Sequence, residues 1–234
     1  KQGRRLMIGS KLSIKDSRFH IVSDTLPLGR ATLETTSLDV IIVGANPNLA
    51  KQYYEGEWVG DKETNSPDCF SLDGKTPSEN SVSPQCDVCV LCPHNAWGSK
   101  VTPQGYKVKA CSDIKRLAVI FTDKPDGEVY LLQITPSSLK NLNEYQKTLS
   151  MRGIAPEISK TTLSFDNEAG FPKLKFQFGG LVAKDTQVYV DSLLDSEKVK
   201  IVTGQLGIPS NKLTTAEDFG FTVEVGYNNE SEDL

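Results

Sequence analysis

The sequence predicts a mainly β domain: a barrel of short strands with two helices and one long irregular insertion. Three observations point to it. Strand-length apolar runs bounded by turn residues recur along most of the chain. Two segments carry helical character. From Gly60 to Ala110 apolar periodicity fades, while Pro, Ser, Asn, Gly and all but one of the five cysteines accumulate.

The elements follow in order. Arg5–Ile14 alternates loosely through Leu6, Ile8, Leu12 and Ile14, and Arg18–Ser23 follows the turn Lys15-Asp16-Ser17. Leu38–Val43, apolar except at Asp39, is a run ending at Gly44 and typical of a buried strand. Gln52–Val59 holds Tyr53, Tyr54 and Trp58. Arg116–Thr122 and Glu128–Thr135 form strands joined across Asp126-Gly127. Ser137 or Ser138 is placed to cap a helix whose apolar face is Leu139, Leu142, Tyr145 and Leu149, with Gly153 as its stop. Glu157–Asp166 and Leu174–Gly179 pair as a hairpin, and a second helix is expected over Ser192–Leu206. Short strands with a loop insertion suit an oligonucleotide/oligosaccharide-binding (OB) fold-like barrel. The expected division is an OB-like domain over 1–212, with a metal-binding insertion at about 60–112, and an acidic segment over 213–234.

Apolar residues at 38% and charged residues at 24% fit a soluble globular chain. No apolar run is long enough to span a bilayer as a helix. The opening residues lack the apolar core of a signal peptide, so a cytoplasmic setting with reduced cysteines is expected. The net charge of −4 hides an uneven distribution. From Leu213 onward there is no Lys or Arg, but there are Glu217, Asp218, Glu224, Glu230, Glu232 and Asp233. Without that tail the body is close to neutral, with basic clusters at residues 1–18 and 93–116.

Cys86, Cys89 and Cys92 stand two residues apart in succession, with Cys69 upstream and Cys111 downstream. A two-residue spacer lets two thiolates reach one tetrahedral ion from a tight turn, and a bound metal can organise a segment that has no apolar core. The expected cofactor is one structural Zn2+ on four of the five thiols, with His94 as an alternative ligand. An iron–sulfur cluster takes similar spacings, and unrelated buried thiols are the plain alternative. Asp68 and Asp73 flank Cys69 as candidates for Mg2+. The sequence carries no phosphate loop, no GxGxxG and no HExxH, so no enzyme activity is expected.

Cations and aromatics interleave in three groups: Arg18-Phe19-His20; Lys51, Tyr53, Tyr54 and Trp58; and Trp97, Lys100, Tyr106, Lys107 and Lys109. Single strands are held by cations along the phosphates and aromatic faces under the bases. Tyr53 and Tyr54 are neighbours, so in a strand at most one faces a ligand. An acidic tail can compete with nucleic acid for a basic groove or recruit replication proteins.

Three segments resemble a family of bacteriophage proteins linked to single-stranded DNA: Ser66–Gly74, Cys89–Ser99 (Cys-Val-Leu-Cys-Pro-His-Asn-Ala-Trp-Gly-Ser) and Lys109–Val119. The likeness extends through Val129–Leu132 and Leu174–Phe176, covering about residues 38–180. It implies zinc on Cys69, Cys89, Cys92 and Cys111, with Cys86 spare because that position is often small and polar in the family. In plan it is similar to phage proteins that set a zinc module in an OB fold and end in acidic tails. The implied role is single-stranded DNA binding in replication or recombination, in the cytoplasm of an infected host. Lys51, Tyr53, Tyr54, Trp58, Trp97, Lys100, Lys107, Lys109 and Lys115 would line the groove. Leu234 stands where some phage tails end in an aromatic residue, which departs from the pattern for docking replication proteins. The other reading is a zinc-stabilised module that docks on a replication or transcription protein.

Overall fold

The structure is a computed structural model that describes residues 10–23, 26, 30–56 and 67–206. It is mainly β. The strands are β1 (Ser10–Lys15), β2 (Arg18–Val22), β3 (Arg30–Thr32), β4 (Ser37–Ala45), β5 (Ala50–Tyr53), β6 (Cys69–Ser71), β7 (Lys100–Val101), β8 (Lys107–Val108), β9 (Ser112–Phe121), β10 (Tyr130–Ile134), β11 (Ser159–Phe165) and β12 (Leu174–Leu181). The main sheet runs β12-β11-β4-β9-β10-β1-β2-β3, antiparallel except where β1 lies parallel to β10. Strand β5 continues the β4 edge of β9 after a break at Asn46–Leu49 and pairs with β6 on its far side.

The continuous apolar runs follow from burial on both faces. Val40 and Ile42 of β4, with Leu117, Val119 and Phe121 of β9, point into one core, while Ile41, Val43, Ala118 and Ile120 point into another. Helix α1 (Pro136–Met151) covers the first core with Leu142, Tyr145 and Leu149. Helices α2 (Lys184–Leu193) and α3 (Glu197–Thr203) cover the second with Val190, Leu193, Val199 and Val202. The sheet curls. Phe19 of β2 and Phe165 of β11 lie five strands apart in the sheet order, about 24 Å if the sheet were flat, yet their ring centroids are 4.7 Å apart.

Polar ties fix α3 to the sheet. Buried Arg116 donates from Nε to Thr203 O at 3.0 Å and from Nη2 to Val202 O at 3.0 Å. Asn46 Nδ2 donates to Thr203 O at 3.1 Å and to Leu72 O at 3.0 Å. The last carbonyls of a short helix are thereby satisfied from across the core.

Some expectations need correction. Of the helix expected over Ser192–Leu206 only Glu197–Thr203 forms, as α3, started where Ser196 Oγ accepts the Val199 N–H at 3.3 Å after Asp195 at φ 58°; α2, ahead of it, is a helix the sequence reading did not expect. Helix α1 starts at Pro136, before the serines. Proline suits the first helical position, and Ser138 Oγ instead accepts the Leu174 N–H at 2.9 Å. Its end is as expected, with Gly153 at φ 65° and the Ile154 N–H on Leu149 O. Phe19 of the first aromatic group is a fully buried core residue, and His20 is buried with Nδ1 3.0 Å from Thr32 Oγ1. The residues before Ser10, Trp58 and the acidic segment 213–234 lie outside the described residues.

Candidate metal centre and nucleic-acid interface

All five cysteines are free thiols, and all five line one cavity of about 10 Å³ together with Lys51, Tyr53 and Ser71. Cys69 opens β6, Cys111 directly precedes β9, and the other three come from the loop between β6 and β7. Cys89–Leu91 and Pro93–Asn95 form successive single turns, with the Cys92 N–H on Cys89 O at 3.3 Å. Three further bonds anchor this knuckle: Cys89 N–H to Lys75 O at 2.8 Å, Cys111 N–H to His94 O at 2.8 Å, and Asn95 Nδ2 to Cys89 O at 2.9 Å. Cys69, Cys89, Cys92 and Cys111 are buried; Cys86 is half-buried and hydrogen-bonded to Cys92. Burial pushes the Cys111 thiol up to about 12 and, with the Cys92 hydrogen bond, does the same to Cys86. Among the described residues, no three His, Cys, Asp or Glu side chains converge as a group able to hold a metal ion. Sulfur donors on one small cavity, with the Lys51 ammonium on its wall, are nevertheless the donor type that zinc takes.

The other candidate ligands are engaged elsewhere. The His94 ring does not line the cavity but stacks on Tyr53 with centroids 4.2 Å apart. Asp68 Oδ2 accepts the Glu55 N–H at 2.6 Å. Asp73 Oδ1 accepts from Ser71 Oγ and from the N–H groups of Lys75 and Thr76, which hold its carboxyl low against the opposing effect of burial.

Of the nine residues expected to line a nucleic-acid groove, three lie in or next to the β7–β8 hairpin, where Lys100 pairs opposite Val108 and Lys107 opposite Val101, so that the two lysines take opposite faces. Lys100 and Lys107 stand exposed on the β7–β8 hairpin, and Trp97, at its base, is 74% exposed. Tyr106, in the turn, is 70% exposed. The turn is held by the Thr102 N–H on Tyr106 O at 2.9 Å and the Gly105 N–H on Thr102 O at 2.8 Å. Ser99 clamps the hairpin to the knuckle: its Oγ donates to His94 O and accepts the Ala110 N–H, each at 2.9 Å. No acidic residue occurs from Val88 to Ser112, so the lobe's charge is undiluted.

The other described residues of the nine do not join them. Lys51 and Lys109 both pair with Asp113, Lys109 at 2.9 Å, and both also reach Asn95 Oδ1. Lys115 Nζ donates to Pro47 O at 3.2 Å. Tyr53 lies against His94, and Tyr54 faces a separate cleft. Tyr106, grouped with Trp97 in the sequence but left out of the expected groove, stands in the turn of the hairpin.

No helix among the described residues is long and apolar enough to cross a membrane. No family model, curated protein or solved structure matches the chain.

Proposed function

We propose that the chain is a non-catalytic single-stranded DNA-binding protein. The curled sheet serves as its OB-like platform, and the β7–β8 hairpin is its contact surface. The observation that carries this reading is that Trp97, Lys100, Tyr106 and Lys107 are all exposed in or next to one hairpin, within a stretch from Val88 to Ser112 that has no acidic residue. An exposed indole and phenol cost water contact, and base stacking would recover it. Zinc on Cys69, Cys89, Cys92 and Cys111 would draw the thiols together and stiffen the knuckle to which Ser99 clamps the hairpin. Those buried thiols suit ligands better than half-buried Cys86. The phage replication or recombination setting rests on the sequence resemblance. The acidic tail, in this reading, competes with DNA for the hairpin or recruits replication proteins.

The test is fluorescence anisotropy with oligothymidine, its ribose counterpart and a duplex. Tight single-strand binding that weakens steeply with salt is expected. Affinity that is unchanged between low and moderate salt refutes the reading. A second reading has its own observation. Val90 and Leu91 at the knuckle tip are 75% and 80% exposed, as a protein-docking module requires. That module would bind no strand, and a Leu91→Asp variant would lose a co-purifying partner.

A further inference from the structure

Strand β12 ends the main sheet, and part of its outer edge is open. In an antiparallel ladder, residues alternate between turning both backbone groups to the partner strand and turning both away. Leu174 turns both away from β11: its N–H donates to Ser138 Oγ at 2.9 Å, and its carbonyl accepts from Asn141 Nδ2 at 2.7 Å. One residue earlier, Lys173 O accepts the Asp166 N–H at 2.8 Å, which fixes the phase. Phe176 and Phe178, opposite Leu163 and Thr161, share the phase of Leu174. Their N–H and C=O groups therefore point off the sheet, and none meets a partner among the described residues. Helix α1 closes the edge at Leu174 and leaves it open from Phe176 on.

The open edge borders a groove of about 580 Å³, walled by Asn141, Tyr145, Thr148 and Arg152 of α1 and by Phe176 and Phe178. Both phenylalanines are half-buried and pack against the first core, with the Tyr145 and Phe176 ring centroids 6.1 Å apart. A helix beside an open strand edge suits an extended peptide that joins as one more strand: backbone bonds hold it, and pockets read alternate side chains. The other face of β12 is basic. Lys175 is the only charged residue on the strand. It shares Asp166 with Lys173, so two cations meet one acid.

The chain itself carries a matching segment. Phe219, Phe221, Val223, Val225 and Tyr227 alternate with Gly220, Thr222, Glu224 and Gly226, the period of a half-buried strand. The segment has no Pro to interrupt a ladder and no Lys or Arg. Its reach suffices. Gln205 Nε2 donates to Ala45 O at 3.3 Å, at the end of β4. Phe178 lies two strands across, through Val40 and Thr161, and five residues along, about 20 Å in a flat sheet. Residues 207–218 can span about 40 Å. We propose that residues 219–227 of the same chain add to β12 as a further strand, turning Phe221, Val223 and Val225 to the groove and Glu224 to the face of Lys175. This docking needs neither zinc nor nucleic acid, so it stands apart from the DNA-binding reading.

The experiment is amide hydrogen exchange on the 15N-labelled full chain, read by NMR, for the parent and for Phe221→Asp and Val223→Pro. The Phe176 and Phe178 N–H groups are expected to exchange roughly tenfold or more slowly in the parent than in either variant. Lys175 and Gln177, whose groups turn to β11, should stay protected in all three chains and show that the sheet is intact. Slow exchange at Phe176 and Phe178 that persists on dilution and is lost in both variants supports the docking. Equal exchange at these two amides in the parent and either variant overturns it: fast exchange means an empty edge, and slow exchange means another occupant. Protection that falls on dilution also overturns it, because a second copy then supplies the strand.

Discussion

Replacing Trp97 with alanine should separate strand binding from folding. At 74% exposed, the indole gives the fold little, so the unfolding free energy should stay within about 0.5 kcal/mol of the parent. Base stacking on an aromatic face is worth about 1–3 kcal/mol per base. The dissociation constant for oligothymidine should therefore rise by about five- to 150-fold. Tyr106, at 70% exposed on the same hairpin, offers a second face, and the double variant should lose more than either single one. Replacing Lys100 or Lys107 with glutamine acts differently. Each lysine that meets a phosphate contributes about 0.7 to the slope of log affinity against log salt on a single strand, and that much should disappear. Lys51→Gln should leave the slope alone, because its ammonium is already engaged by Asp113. Anisotropy across a salt series, with thermal unfolding run in parallel, measures all of these. The reasoning is refuted if Trp97→Ala binds like the parent, or if it loses affinity only in step with a fall in melting temperature.

Other predictions follow from the same structure. Cys111→Ser should abolish stoichiometric zinc and Cys86→Ser should keep it; elemental analysis of the purified variants decides, and loss of zinc from Cys86→Ser sinks the assigned ligand set. Burial, and then the Arg116 guanidinium, lower Lys11 from 10.5 to about 7 in the folded chain. The unfolded state therefore holds the extra proton between about 7 and 10.5, so this group makes stability rise with pH across that window, while its penalty is constant below it. Lys11→Met should flatten that rise in denaturant titrations, and parallel curves for the two chains would contradict the assignment. A Cβ on Gly44 would lie 2.3 Å from Val199 Cγ1. Gly44→Ala should cost about 1–3 kcal/mol by overpacking, and Val199→Ala in the same chain should recover part of it; an additive loss in the double variant refutes the contact.

Much of the fold was legible because its signals are short-range. The run at Leu38–Val43 reads as a buried strand, and the two cores on either side of β4 explain it. Helix α1 announces itself through Leu142, Tyr145 and Leu149 at helical spacing, with Gly153 as its stop. The start of α3 was also written in Ser196-Glu197, an N-cap signature overlooked inside the helix expected over Ser192–Leu206, while α2 just before it went unread. The curl that brings Phe19 to Phe165 has no local sign, so Phe19 looked as available for stacking as Trp97.

The sequence by itself determined the clustering of five thiols, the acid-free lobe around Trp97, Lys100 and Lys107, and most strand positions. Each depends on residues close together in the chain. The tertiary structure decided which cations remain free. Lys51 meets Asp113 across 62 residues, and Arg116 meets Thr203 across 87. It also decided that Ser138 and Asn141 close the β12 edge at Leu174 and leave it open at Phe176 and Phe178. The physical reason is common to these cases. Ion pairing and desolvation depend on distance and burial in space, and sheet register sets both between segments that composition and periodicity treat as unrelated.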